Sequence, residues 1–170
     1  MKQISELRGA KLFGLILVLA IAIAVAMPPG GVDFKLFFYP AGQMAVNGQS
    51  PYLVEGFYNP IWTVLPFMAL SFLPLELAWR VWIAISILGY SLVLYRLNFS
   101  ANGIILLIFS PFILAATFYG NIDWMVLLGA TLPPVIGIWL VIIKPQIGII
   151  VILLWAIRIW KQSNFSSPLE

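Results

Sequence analysis

The sequence predicts an all-α protein: a polytopic membrane helical bundle of about four full spans, two short re-entrant or half-inserted hairpin segments and an external amphipathic helix. Hydrophobic residues make up 62% of the 170 and charged residues only 9%, against about 25% charged in a soluble domain. Apolar runs recur along the chain at lengths near that of a bilayer core. Prolines interrupt some of these runs, and broken helices at membrane depth are tolerated where they line a cavity or pack against protein.

Lys2, Arg8 and Lys11 precede the first apolar run, Leu12 to Met27. That run covers roughly 24 Å, so flanking residues must complete a core of about 30 Å. It reads as an uncleaved anchor rather than a signal peptide, although Ala24-Val25-Ala26 resembles a cleavage site. Either way the basic start stays in the cytoplasm, and the chain emerges outside at residue 28. Residues 28–60 then form the first external loop. Within it, Asp33 to Val46 has Phe34, Phe37 and Phe38 on one side, as expected of a helix lying in the interface. Asn47 to Pro51 is a turn. Tyr52, Phe57, Tyr58 and Trp62 suit the headgroup level.

The run 61–75 is short, with prolines at 60, 66 and 74, which favours a re-entrant or half-inserted segment. Residues 78–95 make a full span ending at Arg96, and 104–119 make another, kinked at Pro111. The stretch 124–143 has the length of one span, but Pro133-Pro134 sits at its centre. Two adjacent prolines remove two backbone donors, so a hairpin of two half-helices competes with a single span. Residues 147–160 form the last span, and 162–170 a polar tail. Residues 1–161 are expected to make one membrane-embedded domain.

Charge arbitrates between the two readings of 124–143. With 61–75 and 124–143 re-entrant, Arg96, Arg158 and Lys161 are all cytoplasmic. The positive-inside rule then holds except at Lys35, Arg80 and Lys144. This arrangement places the chain in the plasma membrane with a cytoplasmic N-terminus. It also brings Asp33, Asn121, Asp123 and Lys144 to one external face.

Several chemistries are excluded. The chain has no Cys and no His, which removes thiolate and imidazole catalysis and metal ligation by either. No phosphate loop, dinucleotide motif, zinc pattern or nucleophile elbow is present. No metal and no cofactor is therefore expected. The net charge of +3 comes from scattered basic residues, so it marks topology and not nucleic-acid binding. Asn98-Phe99-Ser100 and Asn164-Phe165-Ser166 match the glycosylation pattern, but both fall on the expected cytoplasmic side.

Asp33 is the candidate catalytic residue. It is either a carboxylate held at the membrane surface to accept a proton from a hydroxyl, or the N-cap of the segment that follows. Lys144 is either a phosphate ligand or a snorkelling helix-end residue, with Pro145 pinning the next helix at its first turn. Asp123 suits a sugar hydroxyl, a partner for Lys144, or a helix cap. Arg80 is an interfacial anchor or a second phosphate contact. Lys144, Asn121, Asp123, Arg80 and Tyr52 make up the candidate substrate-binding set.

Several short motifs carry a family resemblance: Asp33 in the first external loop, Ser50-Pro51-Tyr52, Tyr58-Asn59-Pro60, Trp79 and Trp82, Gly120-Asn121, and Ile143-Lys144-Pro145. In this order the chain resembles the polyprenol-phosphate-dependent membrane glycosyltransferases of the GT-C superfamily, most closely the GT87 or DUF2029 group, which includes mannosyltransferases. The resemblance implies transfer of a sugar from a polyprenol-phosphate donor to a lipid or glycan acceptor on the outer membrane face. Asp33 matches the position of the family's catalytic base, and Lys144-Pro145 its Lys-Pro. Two departures stand out. The family has Gly-Gln-x-Asn where this chain has Gly120-Asn121-Ile122-Asp123, and its members are more than twice as long. A second chain supplying further spans is one implied partner, besides membrane lipids. The rival readings are a transporter subunit or lipid-binding scaffold without enzymatic activity, and an inactive truncated remnant.

Overall fold

In a computed structural model, which describes residues 2–28 and 30–165, the described chain is helical and contains no strand. Helix α1 spans Lys2–Ala26. A π-helical turn, Phe34–Phe38, leads into α2, Tyr39–Val46. Short 3-10 turns at Pro51–Leu53 and Ile61–Val64 precede α3, Leu65–Leu70. Then follow α4 (Leu75–Arg96), α5 (Ala101–Ile108), α6 (Pro111–Tyr119), α7 (Asp123–Ala130), α8 (Pro134–Val141) and α9 (Pro145–Phe165).

Helix α4 is the axis of the bundle. Its 22 residues cover about 33 Å, and it is the one described helix long and apolar enough to cross a membrane alone. Pro74 starts it, Glu76 sits in its first turn and Arg96 in its last, each charge matched to the helix dipole. Residues on most of its circumference are buried, and 56% of its apolar window lies inside the protein. Helix α1 runs antiparallel to it. Arg80, near the start of α4, donates through Nη1 to the carbonyls of Ala24 (2.7 Å) and Val25 (2.9 Å) at the end of α1.

The expected span 104–119 is broken. Ser110 caps α6 and Pro111 opens it, so α5 and α6 meet at 55°, and only together do they have the length and apolarity of a span. Where four full spans were expected, one described helix, α4, has the length and composition to cross a membrane, or two if the bent pair counts as one; Lys11–Ala26 and Ile61–Leu70 are shorter apolar helices. Residues 124–143 form the hairpin of half-helices, with α7 and α8 packed side by side and turning at Thr131-Leu132-Pro133. A side chain at Gly129 would meet the Gly137 carbonyl oxygen, and one at Gly137 would meet that of Gly129, so the two backbones touch. Helix α9 then packs antiparallel on α8, with Gly148 against Val141 and Trp155 against Gly137. It continues past the boundary expected at 161; residues 166–170 of the expected tail lie outside the described residues.

The core divides by chemistry. Beside the first half of α4, Phe34, Phe38, Phe57, Phe67, Trp79 and Trp82 form an aromatic cluster. Phe38 stacks on Phe67 at 4.8 Å between ring centres, and Phe67 packs tilted against Trp82 at 4.6 Å. Beside the second half, Ile16, Ala20, Ile87, Ile104 and Ile108 form an aliphatic one. The segment expected to lie in the interface is thereby corrected. Phe34 and Phe38 are buried in the protein and hold the segment on α4, and Phe57 is buried with them. Tyr52 and Tyr58 remain exposed.

The backbone contact at Gly129 and Gly137 gives a direct prediction. Gly137→Leu should force α7 and α8 apart and lower the thermal midpoint of the full chain in detergent, at a cost of about 1–3 kcal/mol for overpacking. An unchanged midpoint would mean that the hairpin does not depend on this contact.

Candidate functional site

The candidate site is a polar cluster at the end of the bundle where α6, α7 and α8 terminate or begin. Helix α6 ends in a Schellman motif. Gly120 adopts φ +80°, its N–H donates to the Thr117 carbonyl, and the Asn121 N–H donates to that of Ala116. A side chain at Gly120 would collide with Phe34 and Trp79, so the left-handed turn and the close packing both demand glycine. Trp82 Nε1 donates to the Gly120 carbonyl at 3.2 Å and ties this turn to α4. Asn121 and Asp123 are set by that turn.

Lys144 approaches from the other foot of the hairpin. Its carbonyl accepts the first backbone bonds of α9, from Ile147 and Gly148, so Lys144 caps the helix that Pro145 opens. Its Nζ donates to Asp123 Oδ1 at 2.6 Å and to Asn121 Oδ1 at 2.8 Å. Asn121 Oδ1 also accepts from the Ile122 N–H at 2.8 Å, which fixes the amide. An ammonium group has three donors, so one remains for an anionic oxygen. The Lys144 and Asp123 side chains are 29% and 23% exposed, a half-buried pair that retains access to ligand.

Asp33 lies within range of the charges of this cluster. It lies already in helical conformation (φ −64°, ψ −41°), and its side chain makes no capping bond, so it does not serve as an N-cap. Burial pushes its carboxyl above the ordinary value; the nearby charge of Lys144 opposes that shift and Asp123 adds to it. Asn121, Asp123 and Lys144 are thus bonded together, and Asp33 lies within range of the charges of Lys144 and Asp123. Arg80 is placed on the carbonyls of α1, and Tyr52 on Phe57 at 5.8 Å between ring centres, both apart from the cluster.

Several supporting residues were not among the sequence candidates. Asn59 Nδ2 donates to the Ile143 carbonyl at 2.8 Å and holds the peptide before Lys144. Trp62 Nε1 donates to the Trp139 carbonyl at 2.8 Å and holds α8. At the far end, Arg96 donates through Nε to Thr131 Oγ1 at 2.9 Å and through Nη2 to the Thr131 carbonyl at 3.0 Å, pinning the hairpin tip. The Tyr58-Asn59-Pro60 turn was one signal in the sequence; Arg96 and Thr131, 35 residues apart, offered none. Two clefts lie outside the cluster, and neither is lined by a residue of it. One is a polar cleft of about 420 Å³ at Tyr95, Arg96, Asn98 and Phe99. The other is an apolar groove of about 530 Å³ between α1, α4, α5 and α7.

No family model, curated protein or solved structure matches the chain. Among the described residues no group of three or more acidic side chains is placed to hold a metal ion.

The shifted carboxyl generates a prediction about stability. With its folded pKa raised, ionised Asp33 destabilises the fold above that pKa, and the penalty disappears below the ordinary value of about 4, where both states are protonated. Asp33→Asn should therefore raise the thermal midpoint at neutral pH, with an advantage that shrinks to nothing on acidification. A variant less stable than the parent at neutral pH would assign Asp33 a structural role.

Proposed function

We propose that the chain is a polytopic membrane protein of GT-C type, or the N-terminal part of one, that transfers a sugar from a polyprenol-phosphate donor to an acceptor hydroxyl at the outer face of the membrane. One observation carries this reading: an uncapped carboxyl of raised pKa, Asp33, lies within range of the charge of Lys144, a lysine that keeps one donor for an anion. A general base works best with a pKa near the operating pH, and burial moves Asp33 in that direction. Asp33 takes the proton of the acceptor hydroxyl. The acceptor oxygen attacks the anomeric carbon, the bond from that carbon to the phosphate oxygen breaks, and the polyprenyl phosphate leaves. Lys144 meets the charge that develops on the phosphate. Asn121 and Asp123 hold the ammonium group in place.

Charge distribution supports the membrane placement. The bends and hairpin put Asp33, Asn121 and Lys144 at the end of the bundle where α1 finishes. The basic residues that break the positive-inside pattern at this end are each satisfied within the protein. Lys35 pairs with Glu76 at 2.6 Å, Lys144 pairs with Asp123, and Arg80 caps α1. Lys11, Arg96, Arg158 and Lys161 lie on the helix portions toward the opposite end, the cytoplasmic one in this reading.

The transporter or scaffold reading treats Asp123–Lys144 as an ion pair within a pathway. Activity separates the two. The full chain in liposomes containing polyprenol-phosphate mannose should release polyprenyl phosphate in the presence of a lipid or glycan acceptor. Asp33→Asn should reduce this by about 100-fold or more, the size of a general-base contribution. Transfer undiminished in that variant would remove Asp33 from the chemistry. Topology is tested separately, in intact cells with a membrane-impermeant thiol reagent. Single cysteines at 33, 121 and 144 should label from outside, and one at 96 only after lysis. Labelling of 144 solely after lysis would separate it from Asp33 and favour the scaffold.

A further inference from the structure

The two clefts outside the cluster meet at a single residue. Tyr95 lines both the polar cleft, with Arg96 and Asn98, and the apolar groove. The groove runs along α4 from Tyr95 through Leu92 and Leu88 to Gly89. There the ring of Trp124 closes it, packed so tightly that a side chain at Gly89 would collide with it. Leu12, Phe13 and Ile16 of α1 form one wall and Ile104 of α5 another. A cleft of one chemistry therefore continues into a groove of the other, which is the shape of a site for an amphiphile.

The charge at the mouth selects the headgroup. Arg96 uses Nε and Nη2 on Thr131, and its Nη1 makes no hydrogen bond among the described residues. The guanidinium is thus held by the hairpin tip with donors left over, an arrangement suited to a phosphate. Lys11 precedes the lining residue Leu12 and is exposed at the same end. None of the described acidic side chains, Asp33, Glu55, Glu76 and Asp123, lines either cleft.

We infer that the junction of these clefts binds an anionic phospholipid, with its phosphate at Arg96 and Asn98 and an acyl chain along α4 toward Trp124. The inference rests on the membrane placement proposed above, with the headgroup in the leaflet opposite the Asp33 cluster, and it is independent of sugar transfer. Because Arg96 pins the tip of the hairpin that carries Asp123 and Lys144, the bound lipid also steadies the hairpin.

The test uses the purified full chain in detergent, with thermal midpoint and native mass spectrometry as readouts. Phosphatidylglycerol should raise the midpoint and remain bound at low stoichiometry, whereas phosphatidylcholine and inorganic phosphate should do neither. Arg96→Gln should abolish the preference for phosphatidylglycerol, and Leu92→Trp, which fills the groove, should abolish retention of the lipid. Thr131→Val removes the hydroxyl half of the tip contact, keeps the backbone half and the guanidinium, and should preserve the preference. Equal shifts with both phospholipids would overturn the inference, as would a shift with phosphate alone that matches phosphatidylglycerol. Loss of the preference in Thr131→Val would also overturn it, since the effect would then follow hairpin integrity and not lipid binding. Sugar transfer can fail while lipid binding persists, so the two readings fall separately.

Discussion

The return of α7 into α8 through backbone contact at Gly129 and Gly137 is the constraint on which the polar cluster depends. Two half-helices of eight residues each cover about 12 Å, so neither crosses a bilayer core of about 30 Å. What the hairpin achieves is to bring its two feet together. Asp123 opens α7 and Lys144 follows α8, and the 2.6 Å ion pair between them closes the mouth. Arg96 closes the tip. Packing between the glycines makes the fold-back possible, since any larger residue at either position meets the opposite backbone.

The aromatic cluster supplies the other half of the site. Phe34 follows Asp33 directly and is fully buried among Phe67, Trp79 and Trp82. That burial draws Asp33 toward the protein and partly dries its carboxyl, which raises its pKa. The same Phe34 is the residue that a side chain at Gly120 would strike. One aromatic contact therefore sets both the carboxylate from the first loop and the turn that positions Asn121. A carboxylate kept partly dry without a capping bond costs stability, and such a cost is commonly retained where function uses the group. Arg80 and Lys35 have local partners and carry no such signature.

Much of this was legible in the chain. The paired prolines at 133 and 134 marked the break between half-helices, and Pro111 the bend between α5 and α6, because proline removes a donor and clashes with the preceding turn. Gly120 marked a helix end, and Pro145 a helix start. Parity counting from those breaks grouped Asp33, Asn121, Asp123 and Lys144 at one face; in the fold Lys144 bonds Asn121 and Asp123, and Asp33 lies within range of the charges of Lys144 and Asp123. The kink expected at Pro111 is a 55° bend between two separate helices, a size that hydropathy does not report.

The sequence by itself determined the helical class, the positions of most breaks and the shared end of the four polar residues, because proline and glycine chemistry and charge act locally along the chain. Only the tertiary structure decided that Phe34, Phe38 and Phe57 face protein, that Arg80 caps α1, that Arg96 holds Thr131 and that Asp33 is uncapped. The physical reason is that a protein interior and a lipid tail are equally welcoming to an apolar side chain. Hydropathy therefore says that a residue leaves water without saying what it packs against, and the long-range partners of a cation leave no periodic trace in the sequence.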